Sequence, residues 1–276
     1  MRRYIWHKCE RIGQIILHIY EIELCQLVTH ESIEIKILYN SPNFNLVQDL
    51  FDDRKLNYKV IYDKDSGLLD TYEYLRSFSK EFDNSNIDSF HLINNLLLKL
   101  SLKSYNMKLN INNLDNKKNI FKYPITYSEC IGISIKYRSP FCVEESNADL
   151  EVWNKILEKY SRLNYPRKLL LMGDESSNLG NFRNVIHLSK AGFTLYEQLI
   201  ISQNVRLFIG LASGFCTAAN LYSNPYVIFK NPNHHSAHVA QELINSYRLP
   251  LSSNSQSFNF EVPSRDTVFS ILHNFS

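Results

Sequence analysis

The chain has 276 residues, with 30 basic and 28 acidic side chains, a formal net charge of +2, and 44% hydrophobic against 21% charged residues. That balance excludes the disordered and fibrous classes, and the length suits one large domain or two small ones. The two signs of charge are interspersed with no long block of either, which excludes an extended nucleic-acid-binding tail.

The N-terminus starts basic, but His18, Glu21 and Glu23 interrupt the apolar run that follows. The sequence therefore predicts neither a signal peptide nor a membrane span. Residues 2–7 read as a strand and 12–28 as a helix entered through a glycine turn at Gly13. A strand at 33–40, a helix at 44–53 and a strand at 58–62 complete two βα units. Helical spacing returns at 70–80 and 90–102, and the asparagine-rich stretch 113–124 has no period and reads as a linker.

Beyond it the pattern sharpens. Residues 131–137 read as a strand and 148–163 as a helix, with Leu150, Val152, Trp153, Ile156, Leu157 and Tyr160 on one face. Residues 168–173 read as a strand, apolar from Leu169 onward and ended by Gly173, the mark of a strand buried on both faces. A strand at 184–188 precedes a helix at 194–203, where Thr194 and Glu197 have capping-box spacing. A strand at 206–210, a helix at 213–223 and a strand at 225–230 follow. Such alternation predicts parallel sheets in an α/β fold, arranged as two Rossmann-like doubly wound lobes, 1–125 and 126–276, with a cleft between them. Ligands of open parallel sheets bind outside the carboxyl ends of the strands.

Five cysteines, Cys9, Cys25, Cys130, Cys142 and Cys216, are widely spaced with no CxxC pair. They read as free thiols in a reducing compartment, so the expected location is the cytoplasm, with room for peripheral attachment to the inner membrane face. His234, His235 and His238 form the densest histidine group, and His234 and His238 have a spacing compatible with a metal. No carboxylate motif accompanies them, and they read as a solvated loop and helix start. No metal is expected.

The segment around residues 206–229 carries the chemistry. A buried strand ends at Gly210, and the Ser213-Gly214 turn opens a helix whose first N–H groups have no internal partners. Those donors and the helix dipole favour an anion. The Ser213 hydroxyl either caps the helix or donates to a phosphate oxygen. Phe193 and Tyr196 flank another helix start and are candidates for contact with a nucleobase.

These residues carry a resemblance. Tyr196-Glu197-Gln198-Leu199, Phe208-Ile209-Gly210, Ser213-Gly214, Ala218-Ala219-Asn220 and Pro225 resemble the C-terminal nucleotide-sugar site of the heptosyltransferases, a family of GT-B glycosyltransferases. The turn at Gly173 falls where that family has a strand ending in glycine. The segment 133–141 is similar to the arginine turn of GT-B fucosyltransferases, with Arg138 in the β-phosphate position and Lys136 or Ser139 as helpers; a guanidinium fork suits a phosphate. Arg11-Ile12-Gly13-Gln14, then His18 and Glu21-Ile22-Glu23, resemble a turn and helix in a family of surface-carbohydrate glycosyltransferases.

The resemblance implies a metal-independent, cofactor-free glycosyltransferase moving a sugar from a nucleoside-diphosphate donor to a glycan or lipid-linked saccharide acceptor. It assigns donor contacts to Gly13, Arg138, Ser139 and Gly173, to Phe193 and Glu197, and to Ser213, Gly214 and Phe215. Heptosyltransferases have an aspartate after the N-terminal glycine, where this chain has Gln14, so the candidate bases are Glu10, His18 and Glu21. A sugar-nucleotide epimerase or hydrolase on the same scaffold, or a non-catalytic nucleotide-sugar binder, are the alternatives.

Overall fold

The computed structural model describes residues 1–7, 9–63, 67–81, 89–102, 105–117, 125–137, 147–233 and 255–276. The chain divides into two compact units, Met1–Met107 and Lys108–Ser276. Each has its own parallel sheet. The division falls ahead of the 125/126 boundary expected from the sequence because residues 108–117 pack on the second unit. Leu109 N–H donates to Gln203 Oε1 at 2.9 Å, and Asn113 Nδ2 donates to Tyr196 Oη at 2.6 Å. Ile111–Lys117 is a 3-10 turn rather than open linker. The rest of that stretch, 118–124, lies outside the described residues.

The first unit runs β1 (Arg2–Ile5), α1 (Ile12–Thr29), β2 (Ile33–Leu38), α2 (Phe44–Arg54), β3 (Tyr58–Ile61), α3 (Thr71–Glu81) and α4 (Ser89–Lys99). Its strands lie in the order β1-β2-β3, all parallel. β2 is the central strand, and Ile33, Ile35 and Ile37 on one of its faces are fully buried. α1 contacts α2, α3 and α4, which explains why it buries residues on most of its circumference, including His18 and Glu21. Gly13 lies inside the first turn of α1, and its φ is not positive. The helix continues through this glycine, so the expected glycine turn does not form.

The second unit continues with β4 (Ile131–Ser134), α5 (Leu150–Arg162), β5 (Leu169–Met172), β6 (Val185–His187), α6 (Leu195–Asn204), β7 (Leu207–Leu211), α7 (Gly214–Asn220), β8 (Tyr226–Phe229), β9 (Gln256–Asn259) and α8 (Arg265–Phe275). All six strands are parallel, in the order β6-β5-β4-β7-β8-β9. One face packs Ile131, Ile133, Leu169, Leu171, Leu207 and Ile209 against Trp153, Ile156 and Leu157 of α5 and Val268 and Leu272 of α8. The opposite face meets α7 closely: a Cβ at Gly210 would stand 2.8 Å from Cys216 Sγ and 2.9 Å from the Phe208 ring. Helices on both faces make this the doubly wound sheet expected from the alternating pattern.

Helix starts follow their side chains. Asp149 caps α5, accepting from Glu151 N–H at 3.0 Å and Val152 N–H at 3.1 Å. Asp149→Ala is expected to cost about 1 kcal/mol in urea unfolding, the ordinary value of an N-cap. Thr194 and Glu197 form the expected capping box of α6. Among the described residues, no helix is long and apolar enough to cross a membrane.

Candidate functional site at the carboxyl ends of the strands

In the second unit the strand order turns back on itself between β4 and β7, with β5 and β6 on one side and β8 and β9 on the other. Crevices at such reversal points, outside the carboxyl ends of the strands, are where open parallel sheets take their ligands. The residues leaving the strands there are Ser134 and Lys136 after β4, Ser213 after β7 and Lys230 after β8. Ser134 Oγ and Ser213 Oγ lie 3.4 Å apart, which joins the two loops that flank the reversal.

Ser213 sits at the N-cap of α7 but makes no capping bond with its side chain. Its hydroxyl faces Ser134 and, at 3.7 Å, Cys216 Sγ. The Cys216 thiol donates to Leu211 O at 2.9 Å, and complete burial pushes its pKa up to about 12, so it is a packing group rather than a nucleophile. Lys230 is half-buried at the end of β8, and its pKa is lowered first by burial and then by the charge of Lys136. The charge of Lys136, which follows β4, is thus felt at Lys230, which follows β8, so the carboxyl edge of the sheet at its reversal carries positive charge that attracts an anion.

The other expected donor residues of this unit are placed differently. Gly173 adopts φ 83°, a left-handed value that favours glycine, but its N–H is taken by Gln198 Oε1 at 2.8 Å. Phe193 is 4% exposed and Phe215 is buried. The Glu197 carboxylate accepts from Thr194 N–H at 2.7 Å in the capping box. Gly214 opens α7 and is half-buried. Arg138 and Ser139 lie outside the described residues, as do His234, His235 and His238. Among the described residues no group of three His, Cys, Asp or Glu side chains is placed to hold a metal. A depression lined by Thr126, Glu129, Cys130, Arg167 and Lys168 lies at the opposite edge of this sheet, where β4 and β5 begin.

In the first unit, the carboxyl edge of β1 gathers polar groups that the sequence did not connect. His7 Nδ1 lies 3.3 Å from Asp70 Oδ2, and His7 N–H donates to Thr71 Oγ1 at 2.9 Å. Thr71 Oγ1 also lies 2.7 Å from His18 Nε2. Glu21 Oε2 stands 3.8 Å from His18 Nδ1. His18 packs edge-on against Trp6, with ring centroids 5.0 Å apart. Burial, then the charge of His7, drives its pKa down to about 3. His18 therefore stays neutral at ordinary pH, and both of its ring nitrogens face buried partners.

Of the three expected bases, His18 and Glu21 thus lie in the core of this unit, while Glu10 is exposed, with Asn43 Nδ2 donating to its backbone oxygen at 2.9 Å. His7 and Asp70 were missed because they stand 63 positions apart and meet only through strand pairing. The Asp-x-x-Glu spacing of Asp70 and Glu73 at a helix start was the one signal available. Lys230, one residue past a buried strand of the same sheet, was legible by topology alone.

No protein-family model and no curated protein matches the sequence. Solved structures do. A glycosyl transferase of family 9 from Veillonella parvula matches with a TM-score of 0.55 at 13% identity, over 99% of this chain and 96% of that one. The ADP-heptose LPS heptosyltransferase II of E. coli matches with a TM-score of 0.55 at 10% identity, over 100% and 98%. The E. coli heptosyltransferase WaaC, in a complex with ADP, matches with a TM-score of 0.54 at 9% identity, over 100% of both chains. The architecture of two Rossmann-like units on parallel sheets is therefore the fold of the GT-B glycosyltransferases.

Proposed function

We propose that the chain is a glycosyltransferase that moves a sugar from a nucleoside-diphosphate donor to a hydroxyl of a glycan or lipid-linked saccharide. The observation that carries this is the reversal point of the second sheet, where Ser134, Ser213 and the mutually repelling Lys136 and Lys230 line one edge. A diphosphate is drawn to those positive charges, and its departure from the anomeric carbon is eased as they meet the growing negative charge. The full-length likeness to an ADP-bound heptosyltransferase supports a nucleotide in this role. Arg138 and Ser139 follow Tyr137 in the chain and join the same donor set in this reading. The donor binds to the second unit and the acceptor to the first. The four described cysteines are buried free thiols, which suits a reducing compartment.

Thermal-shift titrations with ADP, UDP, GDP and CMP test the donor site. One of these is expected to raise the melting temperature, and Lys230→Met to weaken it by about tenfold to a hundredfold, the worth of a charged hydrogen bond. Affinity is expected to fall as pH rises through the lowered pKa of Lys230, because only the ammonium form, present below that value, attracts the diphosphate. An unchanged affinity in Lys230→Met would remove Lys230 from the site. Product analysis of the matching nucleotide sugar, with and without oligosaccharide acceptors, separates transfer from hydrolysis and epimerisation.

A further inference from the structure

His7 stands two residues past the end of β1, at the carboxyl edge of the first sheet, with its side chain 40% exposed. One short segment, residues 69–71, holds it. Ile5 N–H donates to Leu69 O at 2.9 Å, and Ile5 and Asp70 form an isolated parallel bridge. Thr71 Oγ1 accepts the backbone N–H of His7 and lies 2.7 Å from His18 Nε2. Asp70 is fixed in turn: its Oδ1 accepts Glu73 N–H at 2.9 Å at the start of α3, while Oδ2 faces His7 Nδ1. Among the described residues, Asp70, His18 and Tyr72 are titratable groups around His7, with Glu21 and Cys9 behind them.

A carboxylate on Nδ1 places the proton of the neutral imidazole there and leaves Nε2 as a bare acceptor. Nε2 of His7 has no partner among the described residues. A held ring with a carboxylate behind it and, among the described residues, an unpartnered nitrogen in front is suited to take a proton from a hydroxyl. The same sheet edge offers exposed aromatic faces for a sugar: Tyr72 lies 5.4 Å from the His7 ring, and Tyr39 and Tyr62, which follow β2 and β3, lie 5.5 Å from each other.

We infer that His7 is the general base of the sugar transfer, with Asp70 and Thr71 as its positioning residues and a sugar hydroxyl as its acceptor substrate; this rests on the glycosyltransferase reading above. Nε2 removes the acceptor proton as that oxygen forms its bond to the anomeric carbon. The bond from that carbon to the diphosphate oxygen breaks, and its electron pair leaves with the diphosphate. Asp70 stabilises the imidazolium, which gives its proton to water before the next turnover. A single displacement of this kind inverts the anomeric configuration.

Three variants test it: His7→Ala, His7→Gln and Asp70→Asn. Each is assayed for thermal shift with the four nucleotides and for nucleoside-diphosphate release from the matching nucleotide sugar, with and without oligosaccharide acceptors. Nucleotide shifts are expected to stay as in the natural protein, while kcat falls about 10²–10⁴-fold in the His7 variants with little change in donor KM. In Asp70→Asn kcat is expected to fall with little change in donor KM, and the His7 ring to lose its preference for the Nδ1-protonated tautomer, because the carboxylate that holds that tautomer is gone. A merely structural role would lower activity without changing the ring tautomer. Turnover within about threefold of normal in His7→Ala overturns the assignment. No nucleotide shift in the natural protein would instead overturn the transferase reading, and the base with it. Independently of turnover, ¹⁵N–¹H correlations of the His7 ring near neutral pH are expected to show Nδ1 protonated and Nε2 bare; the reverse tautomer also overturns it.

Discussion

Arg54→Met is expected to lower the unfolding free energy of the first unit by about 3–5 kcal/mol, because it strands a carboxylate in the interior. Arg54 of α2 reaches Glu23 of α1 with two nitrogens: Nε stands 3.0 Å from Oε2, and Nη2 bonds Oε1. Both side chains are nearly buried, at 13% and 12% exposure. Tyr105 Oη donates to the same Glu23 oxygen at 2.8 Å, and Tyr20 Oη donates to Tyr105 O at 2.5 Å. The pair thus locks α1 to α2 and to the chain near Tyr105, and α1 is the helix that carries His18. Removing the guanidinium leaves Glu23 with one neutral donor in place of a fork. The double variant Glu23→Leu/Arg54→Met removes both charges and is expected to recover most of the loss, since apolar replacements of buried pairs are often near neutral. The two tryptophans fall one to each unit, Trp6 and Trp153. Urea unfolding followed by Trp6 fluorescence in a Trp153→Phe background therefore reads the first unit alone. A loss under about 1 kcal/mol would mean that water screens the pair as it does at a surface.

What the sequence made legible was set by period. Strands such as β5 and β7 are short unbroken apolar runs, and α5 is a clean amphipathic stripe, so local pattern predicted them. β9 and α8 were not expected. β9 reads Gln-Ser-Phe-Asn and is a strand because β8 supplies a parallel partner, a tertiary cause that leaves no periodic trace. Strand order is equally silent, so the reversal between β4 and β7 came only with the fold. Ser213 was found because a serine-glycine turn at the end of a buried strand is a local motif. Lys230 was passed over because a lone lysine after a strand has no motif around it, and the Lys136 that gives it meaning enters from another strand. In the first unit the period of α1 predicted a helix and correctly put His18 on it. It could not say that α3 and α4 would cover that face and turn an apparent base into a buried, neutral ring. Phe193 and Phe215 illustrate the same limit: aromatic side chains beside a suspected ligand loop are more often core than contact.

The burial of His18 carries a second large effect, in acid. Its pKa is about 3 in the folded chain against an ordinary 6.5, lowered by burial first and by His7 next, with Asp70 opposing. Between those values the unfolded chain binds a proton that the folded chain refuses. Stability from this group is therefore complete above about pH 6.5 and is lost as pH falls toward about 3, at up to about 1.4 kcal/mol per pH unit. The first unit should lose about 3 kcal/mol from this residue alone by roughly pH 4.5. His18→Gln isolates the term, since an amide can still hydrogen-bond the Thr71 hydroxyl as donor or acceptor and does not titrate. Unfolding midpoints read from Trp6, whose ring lies against His18, should fall steeply in the natural protein between about pH 7 and pH 4.5 and only shallowly in the variant. Parallel curves would show that His18 takes up a proton without leaving the core. The neutral ring that pins Thr71, and through it the backbone of His7, would then have to be given up.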